Sequence, residues 1–353
     1  MGYYRLILAL LVAASHAGLT FGRFNPGEIA VVSFFLLSGY VMTALIDHHY
    51  LDLRRVGPFY LDRALRLYPQ FLVYSLAMIA GAEFFGLRHL WMSAPPTLAS
   101  DVAQLTMLPL AFSERFPDML LPQGWSLGLE LMFYAVFPLI LIPGERMMAA
   151  YASGLVFLFA FCGRISADWF AYRLLPGVLF AFILGSWIRR PETRLGRAPV
   201  ALGYALAVVA LVVALTIWPR RTSVCDMLIG LVAGLPIVYG LAQARIEGWR
   251  DELAGNLSYG VFLNHMLLLP ILERLLPSAS TGVRFAALIP ISIALSYVTF
   301  RYIERPAIAW RRTLRNAPSV PSAAAVSAGP AALDRGLPDF LYAPASRRGS
   351  SVG

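Results

Sequence analysis

YYRLILALLVAASHAGLTF, residues 3–21, is a near-continuous apolar run of membrane-spanning length into which an arginine and a histidine are set. Arg5 and His16 are 16 − 5 = 11 residues apart. In an α-helix that separation rises about 16 Å and turns roughly 1100°, about 20° past three full turns, so both side chains project from one face. An arginine at one membrane surface is thereby aligned with a histidine toward the other. Ionisable groups at membrane depth are costly and line a substrate path or a protein interior. The plainer reading is an arginine that snorkels to the surface and a histidine that packs between helices. This segment alone leaves both open.

Composition extends that reading to the whole chain. Hydrophobic residues make up 58% and charged residues 14%, with a mean hydropathy of +0.66, which excludes an ordinary soluble domain. Ten apolar blocks fall at residues 3–21, 29–46, 69–85, 125–142, 148–162, 174–188, 200–218, 224–242, 259–276 and 285–300, the fifth and sixth being short. They predict an all-α, multi-pass membrane protein of about ten helices. Arginines at 54, 55, 63 and 66, at 189, 190, 194 and 197, and at 301, 305, 311, 312 and 315 all fall on one side in this count. By the positive-inside rule both termini are cytoplasmic; Arg220 and Arg221 oppose this but are outnumbered. The net charge of +9 arises from 29 arginines with no lysine and follows topology, so no nucleic-acid partner is implied. The first block lacks a small-residue cleavage site and reads as a retained helix. Cys162 and Cys225, in or near spans, are expected to be buried thiols.

Residues 86–124 are long and mixed, with five prolines interrupting apolar pieces such as 102–112. They read as an outward-facing loop with an interfacial or re-entrant segment, either capping a substrate opening or simply connecting two spans. Beyond Asn316 the chain is rich in Ala, Pro, Ser and Gly, so residues 1–315 form the membrane domain and 316–353 a disordered cytoplasmic tail. No internal repeat of fixed period is visible, which weakens a transporter built from inverted halves.

Several polar groups interrupt the later spans. Ser38-Gly39, in the second, permits close helix approach or leaves a hydroxyl facing a cavity. Arg63 and Arg66, before Leu67-Tyr68-Pro69, share a helical face and form either a phosphate grip or a topology-setting, lipid-contacting pair. Trp125-Ser126-Leu127-Gly128-Leu129-Glu130 places a carboxylate about one and a half turns inside the fourth span, with Tyr134 one turn further on. Glu130 must be neutral, paired with an Arg or His, or open to a water-filled cavity. His265, following Ser258-Tyr259, reads as a hydrogen-bonded packing residue, and Glu304 as the partner of a neighbouring arginine.

Taken in order, Arg5 with His16, Phe34-Phe35-Leu36-Leu37-Ser38-Gly39, Arg63 and Arg66 before Leu67-Tyr68-Pro69, Trp125-Ser126-Leu127 with Glu130 and Phe133-Tyr134, Ser258-Tyr259 with Leu263 and His265, and Glu304 with Pro306 resemble the membrane acyltransferase 3 family. The resemblance implies a ten-helix enzyme of the bacterial cytoplasmic (inner) membrane. Such an enzyme moves an acyl group, usually acetyl from cytoplasmic acetyl-CoA, to a hydroxyl of a glycan on the far side, for example lipopolysaccharide O-antigen or exopolysaccharide. Members with a fused hydrolase-like domain carry a long C-terminal extension; this chain resembles the stand-alone branch, with a shorter leader before Arg5 than is usual.

These readings assign His16 and Glu130 to catalysis, Arg5, Arg63, Arg66 and Tyr68 to the acyl donor, and Ser38, Trp125, Ser126, Tyr134 and His265 to the substrate path. No metal and no tightly bound cofactor is expected; acetyl-CoA serves as donor. The pantetheine arm is of the same order as the roughly 16 Å from Arg5 to His16, so the donor's phosphates can stay near the arginines while its thioester reaches the imidazole. A neutral His accepts a proton from an attacking sugar hydroxyl or forms an acyl-histidine relay. Glu130 either orients His16 or neutralises a buried arginine. The rival class is a polytopic transporter or glycan exporter using the same polar groups as a conduction path.

Overall fold

A computed structural model describes residues 1–192, 195–217, 222–244 and 248–316. Among these residues the secondary structure is helical, with isolated bridges and no strand. The α-helices are α1 (Gly2–His16), α2 (Pro26–His49), α3 (Val56–Phe85), α4 (Leu98–Leu105), α5 (Gly124–Leu141), α6 (Arg146–Phe161), α7 (Leu175–Arg189), α8 (Ala198–Ile217), α9 (Thr222–Ala244), α10 (Trp249–Leu275), α11 (Thr281–Thr299) and α12 (Arg305–Asn316). Short 3-10 segments occupy Leu53–Arg55 and Leu108–Arg115, and π-helical turns occupy Trp169–Arg173 and Phe300–Glu304. A chain this apolar has no water to satisfy its amides, so each long apolar block closes its hydrogen bonds internally as a helix. Six helical stretches, Pro26–His49, Gly124–Leu141, Trp169–Arg189, Ala198–Ile217, Ser223–Ala244 and Thr281–Arg315, are long and apolar enough to cross a membrane.

Small residues set how the helices meet. α1 and α10 run parallel in one register: Gly2 lies on the Asp251 backbone and His16 reaches His265, both pairs 251 − 2 = 265 − 16 = 249 residues apart. Asp251 accepts the amides of Gly2 and Tyr3, 2.9 and 3.0 Å away, which caps α1. At the crossing of α2 and α7 a Cβ on Gly39 would stand 1.8 Å from the Phe182 carbonyl oxygen, and one on Gly185 1.9 Å from that of Leu36. Gly39 therefore serves close approach. α10 and α11 are joined antiparallel by Asn264, whose Nδ2 donates to Ser292 O at 3.0 Å and Ser296 Oγ at 2.9 Å.

The boundaries differ from the sequence reading in places that matter. α1 ends at His16, after which Gly18 adopts φ +89°, so the histidine occupies the last helical turn rather than the interior of a span reaching residue 21. α3 begins 69 − 56 = 13 residues before its apolar block, so Arg63 and Arg66 lie inside a continuous helix. Residues 86–123 are folded: α4 and the following 3-10 segment tuck beside α3 and α5, and Tyr68 Oη on α3 donates to Thr106 O at 2.6 Å. Both cysteines are free, but Cys162 is exposed at the end of α6, where the chain leaves the packed core, and only Cys225 is buried as expected. The tail after Asn316 lies outside the described residues.

Candidate functional site

The constant register of α1 and α10 brings two histidines together across the sequence. His16 Nδ1 and His265 Nε2 are 3.0 Å apart, with ring centroids at 5.0 Å and planes 25° apart. His265 Nδ1 is 3.1 Å from Val261 O, one turn back on α10. A carbonyl oxygen only accepts, so His265 carries its proton on Nδ1 and offers the Nε2 lone pair. His16 Nδ1–H donates to it, and His16 Nε2 is left with a lone pair. His265 is fully buried and His16 half-buried, as an orienting group behind a reacting one requires.

The loop 86–123 closes over this pair. The Trp91 and His16 rings stand at 82° to each other with centroids 5.2 Å apart. His89 is buried beneath, with Nε2 donating to Leu120 O at 3.2 Å and Nδ1 accepting the Trp91 amide at 3.3 Å. Burial pushes the His89 imidazole below its ordinary value, against the backbone hydrogen bonds it makes at Leu120 and Met119. Gln123 fastens the end of the loop to α10, donating to Phe262 O at 3.1 Å and Leu263 O at 3.0 Å, immediately before His265.

A second polar cluster lies deeper. Glu130 Oε1 accepts from Ser38 Oγ at 2.7 Å and from the Tyr134 hydroxyl, and the Arg63 guanidinium sits 5.8 Å above the Tyr134 ring. Arg66 is ion-paired with Glu304 and lies 5.0 Å over Tyr259, whose hydroxyl donates to Leu67 O at 2.8 Å. Gln70 Nε2 holds the other Glu304 oxygen at 2.9 Å. The π-helical turn at Phe300–Glu304 delivers this carboxylate inward.

At the end carrying the chain's first residues, Asp62 is a fully buried hub. It pairs with Arg63 beside it, with Arg311 Nε at 3.0 Å and with Arg315 Nε at 3.2 Å. Burial alone would raise the Asp62 carboxyl, but the charges of Arg63, Arg311 and Arg315 outweigh it and hold the group well below the usual carboxylate range. Arg55 Nη2 donates to the Leu314 and Arg315 carbonyls at 3.1 and 3.2 Å, capping α12. Arg5 is half-buried near the start of α1.

The structure thus joins His16 with His265, and Ser38 and Tyr134 with Glu130. It connects His16 to His265 rather than to Glu130. Trp125 stands apart, against Tyr172 at 4.9 Å and Arg173 at 5.7 Å, and Ser126 Oγ donates to Gln123 O at 3.0 Å in the first turn of α5. Asp62, His89 and Trp91 were not singled out by sequence. An acid set among Arg54, Arg55, Arg63 and Arg66 was the one available sign for Asp62.

Residues 2–301 match a family model described as an acyltransferase domain. The chain is 27% identical to the exopolysaccharide production protein ExoZ of Rhizobium meliloti, over 83% of this chain and 93% of that relative. It is 26% identical to acyltransferase MdmB of Streptomyces mycarofaciens, over 83% and 84% respectively. An uncharacterized protein of Aquifex aeolicus is 32% identical over 53% of this chain and 88% of its own length. No solved structure matches the chain.

Proposed function

The chain belongs to the acyltransferase family whose domain spans residues 2–301, and from that premise we propose that it is a multi-pass O-acyltransferase of the bacterial inner membrane. It takes an acyl group, acetyl in the simplest form, from cytoplasmic acyl-CoA and esterifies a hydroxyl of an envelope or secreted glycan. The likeness to a protein named for exopolysaccharide production favours a polysaccharide acceptor. Family membership sets aside the transporter reading.

The observation that carries the mechanism is the His16–His265 hydrogen bond, 3.0 Å long, with His265 tied to Val261 O. His16 Nε2, left unprotonated, takes the proton of the acceptor hydroxyl as its oxygen attacks the thioester carbonyl. The attack forms the C–O bond, collapse of the tetrahedral intermediate breaks the C–S bond to leave the ester, and His16 returns the proton to the departing thiolate. The same lone pair also suits attack on the thioester to give an acyl-histidine that the hydroxyl then displaces.

The donor's route follows the polar groups between the two ends of the bundle. Arg63 is held by Asp62 and Met42 Sδ and Arg66 by Glu304, so both guanidinium groups are fixed in place along the route. With Arg5 and Tyr68 they form the donor side, and Ser38, Glu130 and Tyr134 form the middle of the path. Trp125 and Ser126 flank it at the first turn of α5. Ten crossings would alternate in direction, and the pairs α1 antiparallel to α2, α10 antiparallel to α11 and α1 parallel to α10 are in keeping with that alternation. With the arginines that follow α2 (Arg54 and Arg55), those at the end of α7 (Arg189 and Arg190) and those of α12 on one side, that side is the cytoplasmic one in our reading.

The test is purified protein in proteoliposomes, supplied with labelled acetyl-CoA and oligosaccharides freed of native esters by mild alkali. Alkali-labile label on the oligosaccharide is expected, absent with His16→Ala at an unchanged membrane level. Wild-type protein that transfers no label, or a His16→Ala variant that turns over normally, would sink the proposal. Mass spectrometry of envelope glycans from cells with and without the gene identifies the group transferred.

A further inference from the structure

An indole of large apolar area beside a reacting group is informative when the fold leaves it open. Trp91 is 44% exposed beside the exposed Leu90, although His89 and Met92, which flank that pair, are buried. Its position is not a matter of slack chain. The Trp91 amide is bound by His89 Nδ1, the Met92 amide donates to His89 O at 3.0 Å, and Ser93 and Ala94 donate to Pro117 O at 2.7 and 3.1 Å. Across the loop, Asp118 accepts from Ser100 Oγ at 2.6 Å and from the Thr97 amide at 3.2 Å, and Gln104 Oε1 accepts the Leu120 amide at 2.7 Å. A pinned backbone thus presents an open ring whose plane is 82° from that of His16 at a centroid distance of 5.2 Å.

A sugar ring has matching chemistry. One face of a pyranose is a patch of C–H groups, while its hydroxyls lie around the rim. An indole face offers broad dispersion contact to that patch and leaves the rim polar, so stacking brings hydroxyls to the edge of the platform. At Trp91 the ring lies 5.2 Å from that of His16 at close to a right angle, so a rim hydroxyl of a sugar stacked on the open part of the indole comes near the imidazole. We propose that Trp91 is the stacking platform for the acceptor sugar ring, set by the loop 86–123 so that a rim hydroxyl reaches His16. The inference rests on the glycan acceptor proposed above and adds the residue that positions it.

Binding separates this inference from the transfer reaction itself. The probe is the alkali-treated oligosaccharide of the producing cell's own exopolysaccharide, titrated into detergent-purified full-length protein without donor. Trp91→Ala should weaken oligosaccharide binding about tenfold, Trp91→Phe should recover most of it, and acetyl-CoA binding should stay at the wild-type value. Leu90→Ala, at the exposed neighbouring position, should leave oligosaccharide binding unchanged. Equal affinity in Trp91→Ala and wild type overturns the platform, as does wild-type protein that does not bind the oligosaccharide. A fall in membrane level with binding of the surviving protein intact also overturns it and makes Trp91 an interfacial anchor. Loss of binding in Trp91→Ala alongside a wild type that transfers no acyl group leaves the platform standing and removes the reaction proposed above.

Discussion

Replacing His265 removes the acceptor that fixes His16, and the size of the effect follows from the geometry. The bond is 3.0 Å long and made between neutral rings, one of them fully buried. A hydrogen bond of that kind is worth about 1 kcal/mol net, or roughly fivefold in rate if it were the only loss. Without it His16 keeps its backbone contact at Val12 but is no longer aimed from α10, and misplacement by about 1 Å can cost about a hundredfold. His265→Ala should therefore lower kcat by about a hundredfold, near the lower end of the 10² to 10⁴ expected for loss of the base itself in His16→Ala. His265→Gln places an acceptor oxygen close to where Nε2 stood and should recover to within about tenfold of wild type. Labelled acetyl transfer at saturating donor and acceptor, with thermal unfolding as the control for the cavity left by alanine, gives the numbers. Residues that act as a unit are not additive, so the double variant should be no slower than His16→Ala. A double variant slowed by the product of the two single effects would falsify the orienting role and make His265 an independent participant.

Arg66→Ala should weaken acetyl-CoA binding roughly ten- to a hundredfold, since charge-assisted hydrogen bonds contribute about 1.5 to 3 kcal/mol each; an unchanged Kd by titration calorimetry in correctly inserted protein removes Arg66 from the donor site. Asp62→Ala should destabilise the protein by about 3 to 5 kcal/mol, because it removes the buried carboxylate that Arg63, Arg311 and Arg315 share; an unaltered Tm in detergent would mean that α12 does not depend on this hub. His89 is harder to protonate in the folded loop than in the unfolded chain, so the unfolded state binds more protons below about pH 6.5 and stability falls as pH drops through that value. Limited proteolysis of the loop from pH 8 to 5 should show it opening in acid, and His89→Gln should flatten that dependence; an identical profile in the variant excludes His89 as the cause.

The sequence by itself determined what is local. Helical periodicity places Arg5 and His16 on one face whatever surrounds them, and lipid forces each long apolar block into a helix because unsatisfied amides have no water to turn to. Every one of the ten blocks lies in or against a helix, and Glu304 does pair with an arginine, although with Arg66 on α3 rather than with one beside it in the sequence. The tertiary structure decided what depends on packing between distant segments. His265 looks like a packing residue from its own span, and only the parallel register of α1 and α10, 249 residues apart, turns it toward His16. Glu130 meets Ser38 and Tyr134, and Arg63 and Arg66 meet Asp62 and Glu304, through contacts no helical period encodes. Residues 86–123 carry no long apolar period, so their folded form, with His89 beneath Trp91, comes from hydrogen bonds to Pro117, Asp118 and Leu120 and to α10. A period reports which face of an element is apolar; which partner covers that face is set by the close approach that glycines such as Gly2, Gly39 and Gly185 allow, and by buried polar groups that must find one another once water is excluded.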